Sequence, residues 1–273
     1  MPELPEVETI TRSLRAGGMT GEPIINRQIT SVDLFNPNTL VFNGTPAECS
    51  AALNGRVIRS VERRAKYINI ATDGPRILIH LRMSGDLRLE TEAGHEIQKH
   101  DRLVIHFADG TRLAFNDVRK FGRVWVTDDP DAVLGELGVE PLGEEFTAEK
   151  LRGLLSKKRV PIKTALLDQH LIAGIGNIYA DESLFAAGIR PDRPSCEVSA
   201  DECARLRECI RDTLTAAIAH NGSSFDWAYK GGHFQNEFKV YQKENTPCPV
   251  CGTTIQRIVI NQRGTHFCPK CQR

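Results

Sequence analysis

Residues 246–273 read TPCPVCGTTIQRIVINQRGTHFCPKCQR. Cys248-Pro-Val-Cys251 and Cys268-Pro-Lys-Cys271 are two C-x-x-C hooks separated by sixteen residues. Each hook aims two sulfurs at one point, so together they match a four-thiolate site for a single structural Zn2+. Between the hooks, the β-branched runs Ile255 to Ile260 and Thr265 to Phe267 flank Asn261-Gln262-Arg263-Gly264. The spacing predicts two short strands around an exposed turn, a zinc ribbon over residues 239–273. The other cysteines, Cys49, Cys196, Cys203 and Cys209, have no hook spacing and receive no role; Cys203 and Cys209 read as helix residues.

Upstream of the ribbon the texture changes twice. Residues 3–15 place Val7, Ile10 and Leu14 at helical spacing behind Pro2. From Ile24 to Val126 short β-branched runs follow one another: Ile24–Val32, Val57–Val61, Tyr67–Ala71, Ile77–Leu81, Leu103–Phe107, Arg112–Phe115 and Val124–Val126. Turns such as Asp73-Gly74-Pro75, Ser84-Gly85 and Asp109-Gly110 punctuate them. Such a pattern predicts an antiparallel sandwich or barrel. Helical patterning then covers Thr147–Ser156, Ile162–His170, Ile178–Ala187 and Ser199–Ala219. The expected plan is an α+β multidomain chain: a β-rich N-terminal domain over 2–127, an acidic linker over 128–146, a helical domain over 147–238 and the ribbon.

Length and composition agree. A chain of 273 residues gives a prior of about two domains, and 40% hydrophobic with 26% charged residues argues against disorder. No window approaches a membrane span, and the N-terminus lacks the basic and apolar regions of a secretory signal, so a cytoplasmic protein is expected. The formal net charge is zero, but residues 128–149 hold eight acids and no Lys or Arg. The remainder carries 35 bases against 27 acids. That separation is compatible with a polyanion partner and equally with a solvated mixed surface. Gly174-Ile-Gly176 ahead of a predicted helix could offer backbone N–H groups to a phosphate, helped by Lys157-Lys158-Arg159, or could be a helix–helix turn.

The opening Pro2-Glu3-Leu4-Pro5-Glu6-Val7-Glu8-Thr9 resembles formamidopyrimidine-DNA glycosylases, bacterial base-excision repair enzymes. The same resemblance runs through Arg63-Arg64-Ala65-Lys66-Tyr67, His80-Leu81-Arg82-Met83-Ser84-Gly85, Asp117-Val118-Arg119-Lys120-Phe121-Gly122, Gly174-Ile175-Gly176-Asn177-Ile178-Tyr179 and Arg263-Gly264-Thr265-His266-Phe267-Cys268. It covers almost the whole chain, in order. The resemblance implies a β-sandwich, a helix–two-turn–helix domain and a zinc ribbon, with damaged double-stranded DNA as the partner of a monomer.

It also implies roles. Freed of Met1, Pro2 presents a secondary amine with a pKa near about 8, partly neutral at physiological pH and able to attack a sugar carbon. Read by itself, Pro2 could simply begin a helix. By resemblance Glu3 is the acid/base beside it, Lys66 a proton donor in strand cleavage, and Arg263 assists the last elimination or serves only as a phosphate clamp. Glu6 falls in the damaged-base pocket, although Glu3, Glu6 and Glu8 also suit a helix N-terminus. Met83, Arg119 and Phe121 match residues inserted into the duplex in place of the flipped nucleotide, a task that suits an unbranched chain, a guanidinium and a ring. Taken singly, Met83 and Phe121 would read as core. His100, Lys158, Asn177 and again Arg119 are implied DNA contacts, mostly at phosphates.

Two features depart from the family. Residues 225–236 are shorter than its usual lid over the flipped base, and Gln242 stands where it usually has Gly. Both leave lesion choice open between oxidised purines, favoured by Arg119-Lys120-Phe121 and the opening motif, and the oxidised pyrimidines of the endonuclease VIII-like sister group. A zinc-ribbon protein that binds damaged DNA without cutting would have no use for the Pro2-Glu3 pair.

Overall fold

The computed structural model describes residues 1–91, 96–224 and 231–273. Half of the expected lid, residues 225–230 with Trp227 and Tyr229, lies outside the described residues. The chain forms two compact units, Met1–Gly135 with Asn221–Gly232, and Glu136–His220 with His233–Arg273.

The first unit opens with α1 (Leu4–Ala16), which starts at a reciprocal capping box between Glu3 and Glu6 and stops at Gly17. Val7, Ile10 and Leu14 form its buried stripe. Then come β1 (Ile29–Leu34), β2 (Leu40–Val41), α2 (Pro46–Leu53), β3 (Ile58–Arg64), β4 (Tyr67–Thr72), β5 (Arg76–His80), β6 (Gly85–Thr91), β7 (Asp101–Phe107), β8 (Thr111–Asp117) and β9 (Arg123–Thr127). One sheet has the order β1-β7-β8-β6, the other β2-β9-β5-β4-β3. All pairings are antiparallel except the two-residue β2 against β9. Alternate residues from both sheets meet in one core: Ile68, Ile70, Val124 and Val126 from one, Leu103, Ile105, Leu113 and Phe115 from the other, with the α1 stripe. The expected sandwich is present. Its first strand starts later than its β-branched run suggests, because Asn26 turns the chain at φ +67° and Ile29 is the first residue paired with β7.

Residues 128–146 are built into the fold: α3 (Asp131–Leu134) forms a turn, Val139 bridges Ile172, and Phe146 is fully buried. In the second unit, α4 (Ala148–Leu155) and α7 (Ala200–Ala219) start at Thr147 and Ser199, whose hydroxyls accept the N–H groups of Lys150 and Glu202. Between them lie α5 (Ile162–Leu167) and α6 (Asn177–Ala187), the latter buried on nearly every side. The ribbon strands β10 (Gln256–Ile260) and β11 (Arg263–Phe267) pair antiparallel around Asn261 and Gln262, both at positive φ. Phe185 of α6 packs with Val240, Ile255, Cys248 and Cys268, which anchors the ribbon on the helical core. Among the described residues no helix is long and apolar enough to cross a membrane.

Candidate active site and nucleic-acid interface

In the first unit the N-terminus of α1 gathers the predicted catalytic groups. Pro2 is buried, and Glu3 and Glu6 are 4% and 2% exposed. Glu3 N donates to Glu6 Oε2 at 2.8 Å. The other Glu6 oxygen accepts Ser223 N at 2.8 Å and the Ser223 hydroxyl at 3.2 Å. Gly222 makes this approach possible: it sits at φ +74°, and a Cβ there would lie 2.7 Å from Glu6 Oε1. Ser224 Oγ then receives Gly231 N and Gly232 N, joining the residues on either side of 225–230. Nothing in the sequence signals that Ser223 is a partner of Glu6.

Helix α1 is tied to β3, where Arg15 donates to Val61 O and Arg63 pairs with Glu8 at 2.9 Å. Burial alone would raise Glu8, but Arg12 and Arg63 outweigh it and hold its carboxyl below the usual range. The β3–β4 turn carries Lys66, buried behind Ala65 at φ +53°. Desolvation, with the positive charges of Arg82 and Lys66, pushes His80 down to about 3. His80 is therefore neutral near pH 7, its Nδ1 accepts Arg82 N at 3.0 Å, and its ring meets Tyr67 edge-on. The fold thus brings Pro2, Glu3, Glu6 and Lys66 onto packed neighbouring elements.

The same unit holds a second group. Met83 and Phe121 are 41% and 49% exposed, so neither is a core residue. The Arg119 guanidinium lies 5.1 Å from the Phe121 ring centre. Their loops include Arg82 and Lys120 at φ +52° and +62°, backbone strain of a kind that persists at functional sites. His100 lies close by, its Nδ1 3.1 Å from Arg102 Nη2.

In the second unit Lys158 follows α4 and approaches Asp168 at 3.9 Å. The Gly174 amide is not offered to a phosphate as expected, because Gln169 Oε1 takes its N–H at 2.9 Å. Asn177 Nδ2 donates to Gly264 O at 3.1 Å, while its buried Oδ1 has no hydrogen-bond partner among the described residues. Lys163, absent from the sequence reading, is fully buried: its Nζ lies 2.6 Å from Asp181 and donates to Gly264 O and Thr265 Oγ1. Asp181 also accepts His266 N. This network fixes the carbonyl next to Arg263, which is exposed as the first residue of β11. Beside it a recess of about 560 Å³ is lined by Asn177, Gln242, Arg257 and Gly264. Gln242 adopts φ +54°, which explains why a glycine suits this position.

The sulfurs of Cys248, Cys251, Cys268 and Cys271 all lie within 4.8 Å of one another. Four thiolates at about 2.3 Å from one tetrahedral zinc are spaced by just under about 4 Å, and the Cys248–Cys271 and Cys251–Cys268 pairs are 3.9 and 3.5 Å apart. Val250 N and Cys271 N point at the Cys248 and Cys268 sulfurs, as hydrogen bonds to metal-bound thiolates require. The donor set fits one structural zinc.

Comparison with known proteins follows the same division. Residues 1–124 match the formamidopyrimidine-DNA glycosylase N-terminal domain, residues 137–228 the H2TH domain of the same enzymes, and residues 246–273 the zinc finger found in FPG and IleRS. The formamidopyrimidine-DNA glycosylase of Roseiflexus sp. is 43% identical over 281 residues, covering all of both chains. Lactococcus lactis Fpg in complex with a Fapy-dG containing DNA superposes with a TM-score of 0.89 at 36% identity, over 99% of this chain and 100% of that one. The same enzyme with an oxidized pyrimidine containing DNA gives 0.89 at 37%, over 100% of both. With all three parts matched in order over its full length, the chain belongs to the formamidopyrimidine-DNA glycosylase family.

Proposed function

We propose that the chain excises oxidised purines, formamidopyrimidines and 8-oxoguanine, and cleaves the strand through a Schiff base on Pro2. Membership of the family makes it a base-excision repair glycosylase and lyase acting on damaged DNA. What supports the proline mechanism is the buried cluster at the start of α1, where Pro2 and Glu3 precede the helix and Lys66 lies in the turn that follows β3, the strand packed against it. With Met1 removed, the neutral Pro2 nitrogen attacks the anomeric carbon. The glycosidic bond breaks, its electron pair leaves with the base, and Glu3 handles the proton at the ring oxygen or the departing base. The resulting iminium acidifies the adjacent C–H. Loss of that proton expels the 3′ phosphate, with Lys66 as proton donor, and Arg263 assists the final elimination.

Glu6 and Ser223 border the base pocket. Met83, Arg119 and Phe121 fill the space left by the flipped nucleotide, and His100, Lys158 and Asn177 meet phosphates. Zinc has a structural role in the ribbon. The protein works as a cytoplasmic monomer held at the nucleoid by DNA. Because the Lactococcus relative forms complexes with an oxidized pyrimidine containing DNA as well as with a Fapy-dG containing DNA, pyrimidine lesions belong in the panel tested on this chain.

The test is borohydride trapping on a panel of single-lesion duplexes. Pro2→Gly should lose trapping and excision about a hundredfold or more while DNA affinity stays within about threefold, since it removes a nucleophile and no phosphate contact. Unchanged trapping at an abasic site refutes the assignment.

A further inference from the structure

Asp117 is 1% exposed, and its carboxylate serves the loops at the end of β8. It ends β8 opposite Gly85, at the point where the two exposed loops leave the sheet. One oxygen accepts the Ser84 hydroxyl, in the Met83 loop, and Arg119 N at 3.1 Å. The other accepts Gly122 N at 2.7 Å, directly after Phe121. Ser84 Oγ also receives Arg119 N at 3.1 Å, so hydroxyl and carboxylate close a ring across the two loops. The backbone of Asp117 extends the node: its N–H donates to His100 O at 2.9 Å, and its carbonyl accepts Arg102 Nε at 2.7 Å. Arg102 in turn contacts the His100 ring. The loop of Met83 and the loop of Arg119 and Phe121 thus meet on a single buried acid, while His100 is held by the backbone of the same residue.

We propose that Asp117 is a positioning residue for duplex opening. Its carboxylate locks the loop of Met83 to the loop of Arg119 and Phe121, so that the three side chains enter the helix as one wedge. This rests on the wedge reading given above. The chemistry requires a carboxylate and not merely a polar group. Its two oxygens meet donors on both sides, so an amide must turn its NH2 toward either Gly122 N–H or the Ser84 and Arg119 donors. A wedge whose parts arrive separately fills the vacated space poorly, and the extruded nucleotide falls back. Chemistry on a nucleotide that needs no extrusion is untouched.

The test compares Asp117→Asn, Ser84→Ala and Met83→Ala in two assays on zinc-loaded protein. Stopped-flow fluorescence of 2-aminopurine beside the lesion reads opening of the duplex. Borohydride trapping on a single-stranded oligonucleotide with an abasic site reads chemistry without opening. Asp117→Asn should slow opening about ten- to a hundredfold, the range expected for losing hydrogen bonds to a charged group. Single-strand trapping should stay within about twofold. Ser84→Ala, which spares the acid and guards against misfolding of the first variant, should slow opening about three- to tenfold. If Asp117→Asn slows both assays equally, the residue is structural only and the inference falls. Should Met83→Ala slow opening while neither Asp117→Asn nor Ser84→Ala does, the wedge stands and the locking role is wrong. Normal opening in Met83→Ala overturns the wedge reading itself, and the inference with it.

Discussion

Replacing Lys163 with methionine tests the buried network of the second unit. The Lys163 and Asp181 side chains are both fully buried, and the ammonium sits 2.6 Å from the carboxylate. Methionine keeps the volume and removes the charge. Asp181 then retains the backbone N–H and ring Nδ1 of His266, and Gly264 O retains Asn177, but the buried carboxylate loses its ammonium counter-ion. Breaking one partner of such a pair costs about 3–5 kcal/mol. For a unit of this size that corresponds to a fall in melting temperature of about 10–20 °C. Calorimetry on the zinc-loaded protein measures it, the second unit's transition being the one that a chelator shifts. The double variant Lys163→Met with Asp181→Asn carries no buried charge and should recover most of the loss. The reasoning fails if Lys163→Met lowers that transition by under about 3 °C, or if the double variant loses as much as the sum of the two single changes.

Cys268→Ser removes one of four sulfurs and should abolish zinc binding and DNA affinity while the transition of the β-sandwich persists; full zinc content with normal affinity would contradict the ribbon assignment. Glu202, paired with Arg193 at 2.6 Å and bonded to Ser199, is held down to about 2 from an ordinary 4.5. A depressed acid contributes stability above its unfolded value and loses it as the pH falls toward its folded one. The difference in melting temperature between the protein and Glu202→Gln should therefore be complete at pH 7 and shrink between pH 4.5 and 2; a difference independent of pH would rule the pairing out.

The ribbon was readable because spacing alone specifies it: two hooks and the β-branched runs between them leave one arrangement of four sulfurs. The start of α7 was readable for a similar reason, since Ser199 and Glu202 have the spacing of a capping box. Thr45 and Glu48 have the same spacing and begin α2, yet that helix was missed, because eight residues with only Cys49 and Leu53 buried carry little periodicity. Edge strand β6 was missed as well: Leu87 and Leu89 alternate with Asp86, Arg88 and Glu90, too short an apolar signal against so many charges. At the site, the groups on α1 are contiguous in sequence and stood out. Lys163, Ser223 and Asp117 did not stand out as organising residues, because a lone Lys, Ser or Asp acquires its partners only when the chain folds. Lys163 meets Gly264 101 residues away, and Asp117 receives Ser84 across 33.

The bond between Glu6 and Ser223 spans 217 residues. A ribosome adds about 5–20 residues per second, so about ten to forty seconds separate the synthesis of the two partners. During that interval the nascent chain already carries Pro2, Glu3 and Lys66, while the segment that closes on Glu6 has not been made. The sandwich can form its sheets early, but the contact between Glu6 and Ser223 is completed only after nearly all of the helical unit has been translated. A prematurely ended chain therefore carries Pro2 and Glu3 without the Ser223 partner of Glu6, and this corner of the first unit is completed only late in translation.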